Sequence, residues 1–243
     1  MGATLEALLA LQDIEHQIVD IQRQLAARRR GVARQTANLR AAEQALEAGR
    51  GDLKHTQVEM DAVDLDLKTR SQHVSKLRDN LNTVRTNKEY AAVLAQLNTE
   101  KADVTRLEGR AIELLGQVEE KRKALGEQEA AVTEHTQRLE NLKSQLGKAE
   151  QSFSEHLTAL QAQRDEAAAK LDDKVVEQFN RLSERYDGEA MARVIQVHPR
   201  RQEYLCEGCN MSVTIERANA LMSRDEVVTC GSCGRILHLE QNT

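Results

Sequence analysis

Tryptophan is absent from this chain of 243 residues, proline occurs once, and aromatic residues make up 2% of it. That scarcity argues against one large globular core. Ala, Glu, Lys, Leu, Arg and Gln dominate instead, with 30% charged residues, which is the usage of long solvated helices. No apolar run approaches the length of about 18 residues that a membrane-spanning helix needs. The opening MGATLEALLALQD carries Glu6 and no basic segment, which predicts no secretory signal, and position 6 is Glu where a myristoylation motif wants Ser or Thr. An excess of positive charge is also missing. The net charge is −5, and residues 193–243 balance six Lys/Arg against six Asp/Glu, so no domain-wide basic patch draws the chain to nucleic acid. Catalytic signatures are lacking too: there is no phosphate-cradling Gly-rich loop, no nucleophile elbow and no pocketed pair of carboxylates. The expectation is a cytoplasmic protein that is not an enzyme.

What is present is heptad periodicity. From Leu11 every seventh residue is apolar eleven times running, ending at Leu67, Val74 and Leu81. The series three residues on (Ile14, Ile21, Arg28, Gln35, Ala42, Gly49, Thr56, Val63, Arg70, Leu77, Val84) is weaker. Taken as a and d positions, these give an unbroken coiled-coil register. A second register runs from Tyr90 through Leu97, Val104, Ala111, Val118, Leu125, Val132, Leu139, Leu146 and Phe153 to Leu160. The phase shifts by two residues between Val84 and Tyr90, which is neither of the insertions of four or three that a continuous coiled coil absorbs. The helix is therefore expected to stop near 85–89, with Thr86-Asn87-Lys88-Glu89 as a capping box for the next one.

Two architectures fit such a pattern: an intrachain antiparallel hairpin, and a parallel homodimer of very long helices. If the turn centres on Asn87, paired positions sum to 174, and each weak d position meets a strong a position. Arg28 then faces Leu146, Gln35 faces Leu139, Gly49 faces Leu125, Thr56 faces Val118 and Arg70 faces Val104, while Leu39 faces His135 and Leu53 faces Lys121. A parallel dimer would stack Arg28 on Arg28 and Gly49 on Gly49. The hairpin is favoured, with registers summing to 167 or 181 as alternatives. Arms of about 75 residues would run roughly 110 Å. Arg28 and Lys121 are long enough to snorkel past a facing Leu; His135 and His156 read as seam residues. The weak middle of the seam has a second reading, as a hinge or partner groove. The hairpin is assigned to 1–170 and a connecting helix, restarting near Asp172 and stopping at Gly188, to 171–192.

Residues 193–243 follow a different grammar. Val194–Val197 alternates like a strand, His198-Pro199-Arg200-Arg201 reads as a turn, and Gln202–Leu205 as the return strand. A short helix is expected at Ile215–Met222, and further strands at Glu226–Thr229 and Arg235–Leu239. The chain's four cysteines, Cys206, Cys209, Cys230 and Cys233, fall in the spacing C-x2-C-x20-C-x2-C. Paired Cys-x-x-Cys turns suit a metal rather than a scaffold of disulfides. Two such turns, with Gly208, Gly231 and Gly234 relaxing the backbone, complete a tetrahedral four-sulfur site at about 2.3 Å per bond. One structural Zn2+ is the expected ion and a rubredoxin-type iron the minor alternative; a redox Cys-x-x-Cys pair lacks its usual βαβ context. With all four positions filled no water has a place on the metal, whose binding would supply folding energy of order 10 kcal/mol or more. His198 and His238 are expected at the surface. The fold class is mainly α: a long antiparallel helical-hairpin coiled coil with a small C-terminal β-rich zinc ribbon.

Three stretches resemble the bacterial C4-type zinc-ribbon coiled-coil proteins, the group that includes the FlgZ-like and CdsZ-like factors. They are Val84-Arg85-Thr86-Asn87-Lys88-Glu89-Tyr90 at the expected tip, Arg181 through Val194 with Tyr186 and Gly188, and Cys230-Gly231-Ser232-Cys233-Gly234-Arg235-Ile236-Leu237. The chain departs from the group at Gly231, where Pro is usual, and at His238, where an aromatic is common. The resemblance implies an accessory role, with an RpoN-type sigma factor or components of flagellar or type III secretion systems as partners, and nucleic-acid binding as an attributed property. Two functions compete on this footing. One is a non-catalytic adaptor or chaperone-like protein that binds protein partners. The other is a nucleic-acid-binding regulator acting through the ribbon, for which Arg193, Arg200, Arg201 and Arg235, with Tyr204, are the candidate contacts. Arg28-Arg29-Arg30 reads as a solvated helix face.

Overall fold

The structure, a computed structural model, describes residues 2–198 and 201–239; of Arg201 it describes the backbone alone. Two helices dominate, α1 (Ala3–Thr83) and α2 (Asn87–Ala168). The break between them falls where the heptad phase shifts. Thr86 caps α2: its Oγ1 accepts the Glu89 amide at 3.3 Å and its carbonyl accepts the Tyr90 amide at 3.0 Å. One bond of the capping box differs from expectation. The Thr86 hydroxyl donates to the Glu89 carboxylate at 2.7 Å, so Glu89 holds the cap through its side chain rather than through the Thr86 amide.

The chain divides into two compact units, Val32–Asn141 and Met1–Gly31 with Leu142–Thr243. Within the first, α1 and α2 pack antiparallel in one molecule, so the hairpin rather than a parallel dimer pairs these seams. A Cβ at Gly49 would stand 3.4 Å from Leu125 Cδ1, the pair that a sum of 174 requires. Gln35 Nε2 meets His135 at both Nδ1 (3.0 Å) and the main-chain oxygen (3.1 Å). Lys121 Nζ reaches across the seam to Thr56 Oγ1 at 2.7 Å, the snorkelling expected of it. Arg70 Nη1 donates to Glu100 and Asp103 at 3.1 and 2.9 Å. Near the turn, Val74, Leu77 and Leu97 form an apolar core with Leu81, Val93 and Val104.

In the other unit the two helices pair again, with Ile18, Ile21 and Leu25 packed on Leu160, Phe153, Leu157 and Leu146. Arg164 Nε donates to the Glu15 carboxylate at 2.7 Å, and Ser183 Oγ donates to the same carboxylate at 2.9 Å. Ser183 belongs to α3 (Asp173–Arg185), whose N-cap Asp172 accepts the Lys174 amide at 2.9 Å. The helix ends at Arg185, three residues before the expected glycine. Asp187 takes the left-handed conformation (φ 52°), and the Gly188 amide closes a six-residue Schellman turn on the Ser183 carbonyl at 2.8 Å. Gly188 is itself left-handed (φ 94°), and a Cβ there would stand 3.0 Å from Val19 Cγ2. A side chain there would be strained in its backbone and would crowd Val19.

Beyond Gly188 come β1 (Met191–His198), β2 (Arg201–Cys206), β3 (Ser212–Val213), α4 (Ile215–Ser223) and β4 (Ile236–Leu239), in one sheet of order β3-β2-β1-β4. β1 and β2 form the expected hairpin; β4 joins β1 in parallel, Met191 opposite Ile236. The strand expected at Glu226–Thr229 is absent, leaving a single bridge from Thr229 to Ile236 and the Leu237 amide on the Val228 carbonyl at 2.7 Å. Val228 and Thr229 lie along the edge of β4 that β1 leaves free, and Glu226 belongs to no strand among the described residues. The core of this sheet draws on the far end of the chain. Leu5, Leu8 and Leu11 of α1 are fully buried with Phe179, Leu182, Met191, Val194, Ile236 and Leu237. Buried Gln12 ties the two together: its Oε1 accepts the Met191 amide at 2.9 Å, and its Nε2 donates to the Gly188 carbonyl. No helix among the described residues is long and apolar enough to cross a membrane.

Candidate metal centre

The four cysteines come from two turns of the same construction. In the first, the Asn210 amide bonds the Cys206 carbonyl (2.7 Å) and the Cys206 amide bonds the Met211 carbonyl (2.9 Å); in the second, the Gly234 amide bonds the Cys230 carbonyl (3.0 Å) and the Cys230 amide bonds the Arg235 carbonyl (2.9 Å). The residue after each pair, Asn210 or Gly234, is left-handed, with φ of 57° and 80°. Asn tolerates that conformation next best to Gly. Asn210 therefore does in the first turn what Gly234 does in the second, a role that sequence reading gave to glycines alone. Gly208 serves by leaving room: a Cβ there would stand 2.6 Å from Arg235 Nη1 and 3.1 Å from Ala192 Cβ.

The sulfurs converge. All four Sγ atoms lie within 4.8 Å of one another, with Cys206 and Cys233 at 3.9 Å and Cys209 and Cys230 at 3.7 Å. A tetrahedron with metal–sulfur bonds of about 2.3 Å has edges of about 3.8 Å, so the cage has the size of a zinc–thiolate centre. At the thiols, burial and the amides of the turns pull in opposite directions. Burial pushes the Cys206 thiol up to about 12, against the amides of Gly208 and Cys209. Burial also opposes the Cys230 thiolate, but the amides of Cys233 and Ser232 and the thiols of Cys209 and Cys233 outweigh it and bring that group down to about 6. The turns thus aim backbone N–H groups at the sulfurs, Ser232 N–H standing 3.5 Å from Cys230 Sγ. Residues 205–237 match the C4-type zinc ribbon domain.

The match covers the ribbon and not the helices. Comparison with curated proteins finds no match. Among solved structures the chain is similar to CT398 from Chlamydia trachomatis, with a TM-score of 0.77 and 17% identity over 99% of this chain and 100% of that one. It is similar to the HP0958 protein from Helicobacter pylori, at a TM-score of 0.69 and 12% identity over 98% of each chain. A protein from Mycobacterium smegmatis gives 0.61 and 17% over 99% and 100%. At such identities the likeness is one of fold. The four cysteines of the ribbon are arranged for one metal ion, and zinc bound there would cross-link both turns with no ligand position left open.

The ribbon's second layer was not legible as such. Arg235 is 7% exposed, and each nitrogen of its guanidinium has an acceptor. Its Nε donates to the Glu189 carbonyl (2.9 Å), Nη1 to the Gly208 carbonyl (2.7 Å) and Nη2 to the Glu189 carboxylate (3.1 Å). The group stacks 3.9 Å from the centroid of Tyr186, whose hydroxyl donates to the Cys233 carbonyl at 2.7 Å. Both knuckles are thereby bracketed to the end of α3. Arg235 is an internal strut and not the exposed cation expected for a phosphate contact. Arg193 holds Glu207 at 3.0 Å through both Nε and Nη2. Arg200 lies outside the described residues, as does the side chain of Arg201. His238, expected at the surface, is half-buried, with Nδ1 against the Leu239 carbonyl at 3.1 Å; burial lowers its pKa. His198 is exposed.

Proposed function

We propose that this chain is a non-catalytic, zinc-dependent adaptor of a reducing cytoplasm, which binds protein partners through its helical and ribbon surfaces. The observation that carries the reading is the closed sulfur cage. A metal held by four thiolates has no open position for water or substrate, which suits a structural role. Further support comes from the helices, where ion pairs such as Arg50 with Glu129 and Arg110 with Glu59 tie the two sides of the seam together. Against nucleic acid stand the internal place of Arg235 and the pairing of Arg193 with Glu207. The resemblance of the tip and of the last cysteine motif makes an RpoN-type sigma factor, or a flagellar or type III secretion component, the first partner to try.

The test measures binding of purified zinc-loaded protein to an RpoN-type sigma factor and, separately, to single-stranded RNA and duplex DNA across a salt series. The adaptor reading expects saturable binding to the protein and only weak nucleic-acid binding at physiological salt. Tight nucleic-acid binding whose affinity falls steeply with salt would reverse the assignment in favour of a regulator acting through the ribbon, and turnover of hydrolase substrates would overturn the non-catalytic part.

A further inference from the structure

In the unit Val32–Asn141 the seam is poorly packed along its middle. No residue of 36–55 in α1 or of 119–138 in α2 is buried. The hairpin register (sum 174) sets these two segments face to face over their whole length, since 36 meets 138 and 55 meets 119. Buried residues close them off at both ends, Gln35 and Leu139 at one, Thr56 and Val118 at the other. At 1.5 Å per residue the stretch between is about 30 Å long. The layers explain it. From Leu39 to Leu53 each sets one large apolar residue against a polar or small one: Leu39 meets His135, Leu46 meets Gln128 and Leu53 meets Lys121, while Ala42 meets Val132 and Gly49 meets Leu125. Nearer the turn, layers that pair two large apolar residues return, as in Met60 with Leu114, Leu67 with Leu107 and Leu77 with Leu97.

One atom in this stretch is also unsatisfied. Gln128 Oε1 is buried without a hydrogen-bond partner among the described residues. It lies in the room that Gly49 leaves, 2.5 Å from where a Cβ on that residue would stand. Such an acceptor has lost water and gained no donor, a cost that the closed seam carries and an open one does not. Lys121 leaves its own layer to donate to Thr56 Oγ1 at 2.7 Å. Leu39, Leu46 and Leu53 are only partly buried, so parting the helices here gives up little apolar burial. The ion pair of Arg50 with Glu129 crosses the seam at 3.0 Å, but both side chains are half exposed, and such pairs hold weakly. Once apart, neither segment is a strong helix by itself, with Gly49 and Gly51 in one and Gly126 in the other. We propose that the two segments form a joint in the hairpin, at which the helices part and fray locally while the apolar layers around Leu77 and Leu97 stay closed. The joint lets the turn end change direction without melting its core. It goes beyond the adaptor reading and stands whether or not that reading holds.

The experiment follows amide hydrogen exchange of full-length, zinc-loaded protein, peptide by peptide, by mass spectrometry. In wild type, amides of 38–53 and 121–136 should exchange about tenfold faster than those of 74–81 and 93–104. Lys121→Leu with Gln128→Leu turns two of the mismatched layers into leucine pairs and removes the unpaired oxygen. It should slow exchange in both segments by about tenfold and leave 74–81 unchanged. Gly51→Ala with Gly126→Ala is the control. A Cβ at either glycine would meet nothing within 4 Å, so these changes strengthen the helices without touching the layers. Three results would overturn the proposal. Equal exchange in the segments and near the turn of wild type would mean that no joint exists. A leucine variant that slows nothing, or slows the whole hairpin alike, would mean that opening is not local to these layers. Closing of the gap by the alanine variant alone would trace it to weak helices rather than to the seam. Far-UV circular dichroism checks that the variants fold, and if either does not, the wild-type comparison still decides.

Discussion

Arg235 shows most clearly how much one side chain contributes to the ribbon. A guanidinium is a rigid planar fork, and here its two edges and one face engage the Gly208 carbonyl, both acceptors of Glu189, and the Tyr186 ring. Lysine can reproduce the charge but not the fork. Arg235→Lys is expected to destabilise the zinc-loaded ribbon by about 3 kcal/mol through buried carbonyls left without donors. Tyr186→Phe, which removes one hydroxyl from the Cys233 carbonyl, should cost about 1 kcal/mol. Both should speed zinc transfer to a chelator, in that order of severity. Equal rates for Arg235→Lys and wild type would show that the bracket does not restrain the sulfur cage.

His238 carries a pH dependence whose sign is fixed by its burial. The ring nitrogen facing the Leu239 carbonyl must hold the proton, so the second nitrogen titrates, and burial lowers its pKa below 6.5, with Arg193 working the same way and Glu207 and the carbonyl opposing. The folded chain thus binds the second proton less readily than the unfolded one. Stability from the neutral ring is present above about pH 6.5 and is lost as pH falls through the native pKa. His238→Phe removes that loss. Melting temperatures measured with zinc in excess should therefore draw together, or cross in favour of the variant, as pH drops below about 6.5; curves that run parallel would refute the assignment.

At the scale of elements, the seam owes its register to polar layers as much as to leucines. Gln35 Nε2 faces the His135 carbonyl, which can only accept, so the same nitrogen offers a proton to Nδ1 and that ring atom is unprotonated. Such a layer is satisfied only when these two residues meet. Gln35→Leu alone should cost about 1 kcal/mol. The double change with His135→Leu is expected to recover that loss or exceed it, since replacing both partners by apolar groups leaves nothing unpaired. The gain should come with looser pairing, seen as higher oligomers in light scattering, because a leucine layer accepts any leucine. A monodisperse, less stable double variant would count against a register role.

The sequence made this hairpin legible because a heptad seam is a local code, one position in seven, and because a two-residue phase shift has no helical solution. The cap at Thr86 and the sulfur spacing were legible for the same reason. The missed features all depend on residues far apart in the chain. Asn210 as the partner of Gly234 needs the two turns superposed, and the strand that fails before Thr229 needs knowledge of how few of its residues lie along β4. Arg235 looked like a surface cation because its acceptors, Glu189 and Gly208, lie far from it in the chain. Leu5 and Leu8 stand just ahead of the first heptad and gave no sign of their partners in the sheet.

Those leucines decide how the whole molecule should answer to loss of metal. Leu5, Leu8, Leu11 and Gln12 belong to the core of the ribbon sheet, so the first turns of α1 depend on a fold that zinc holds together. Val32–Asn141 has its own apolar clusters and polar layers and makes no use of the cysteines. Chelation should therefore leave most of the helical circular dichroism in place, since the long helices supply it. Hydrogen exchange should separate the two units. Protection is expected to collapse in β1, β2, β4 and residues 3–12, with little change around Leu77, Leu97 and Leu114. Uniform loss across both helices would mean that the metal governs the hairpin itself, and unchanged protection at Leu5 and Leu8 would mean that the sheet core survives without the ion. Either outcome would contradict the packing argument, because the start of α1 reaches the sulfur cage through this sheet core, with Thr4 also bonded to the Asp225 carboxylate at 3.3 Å.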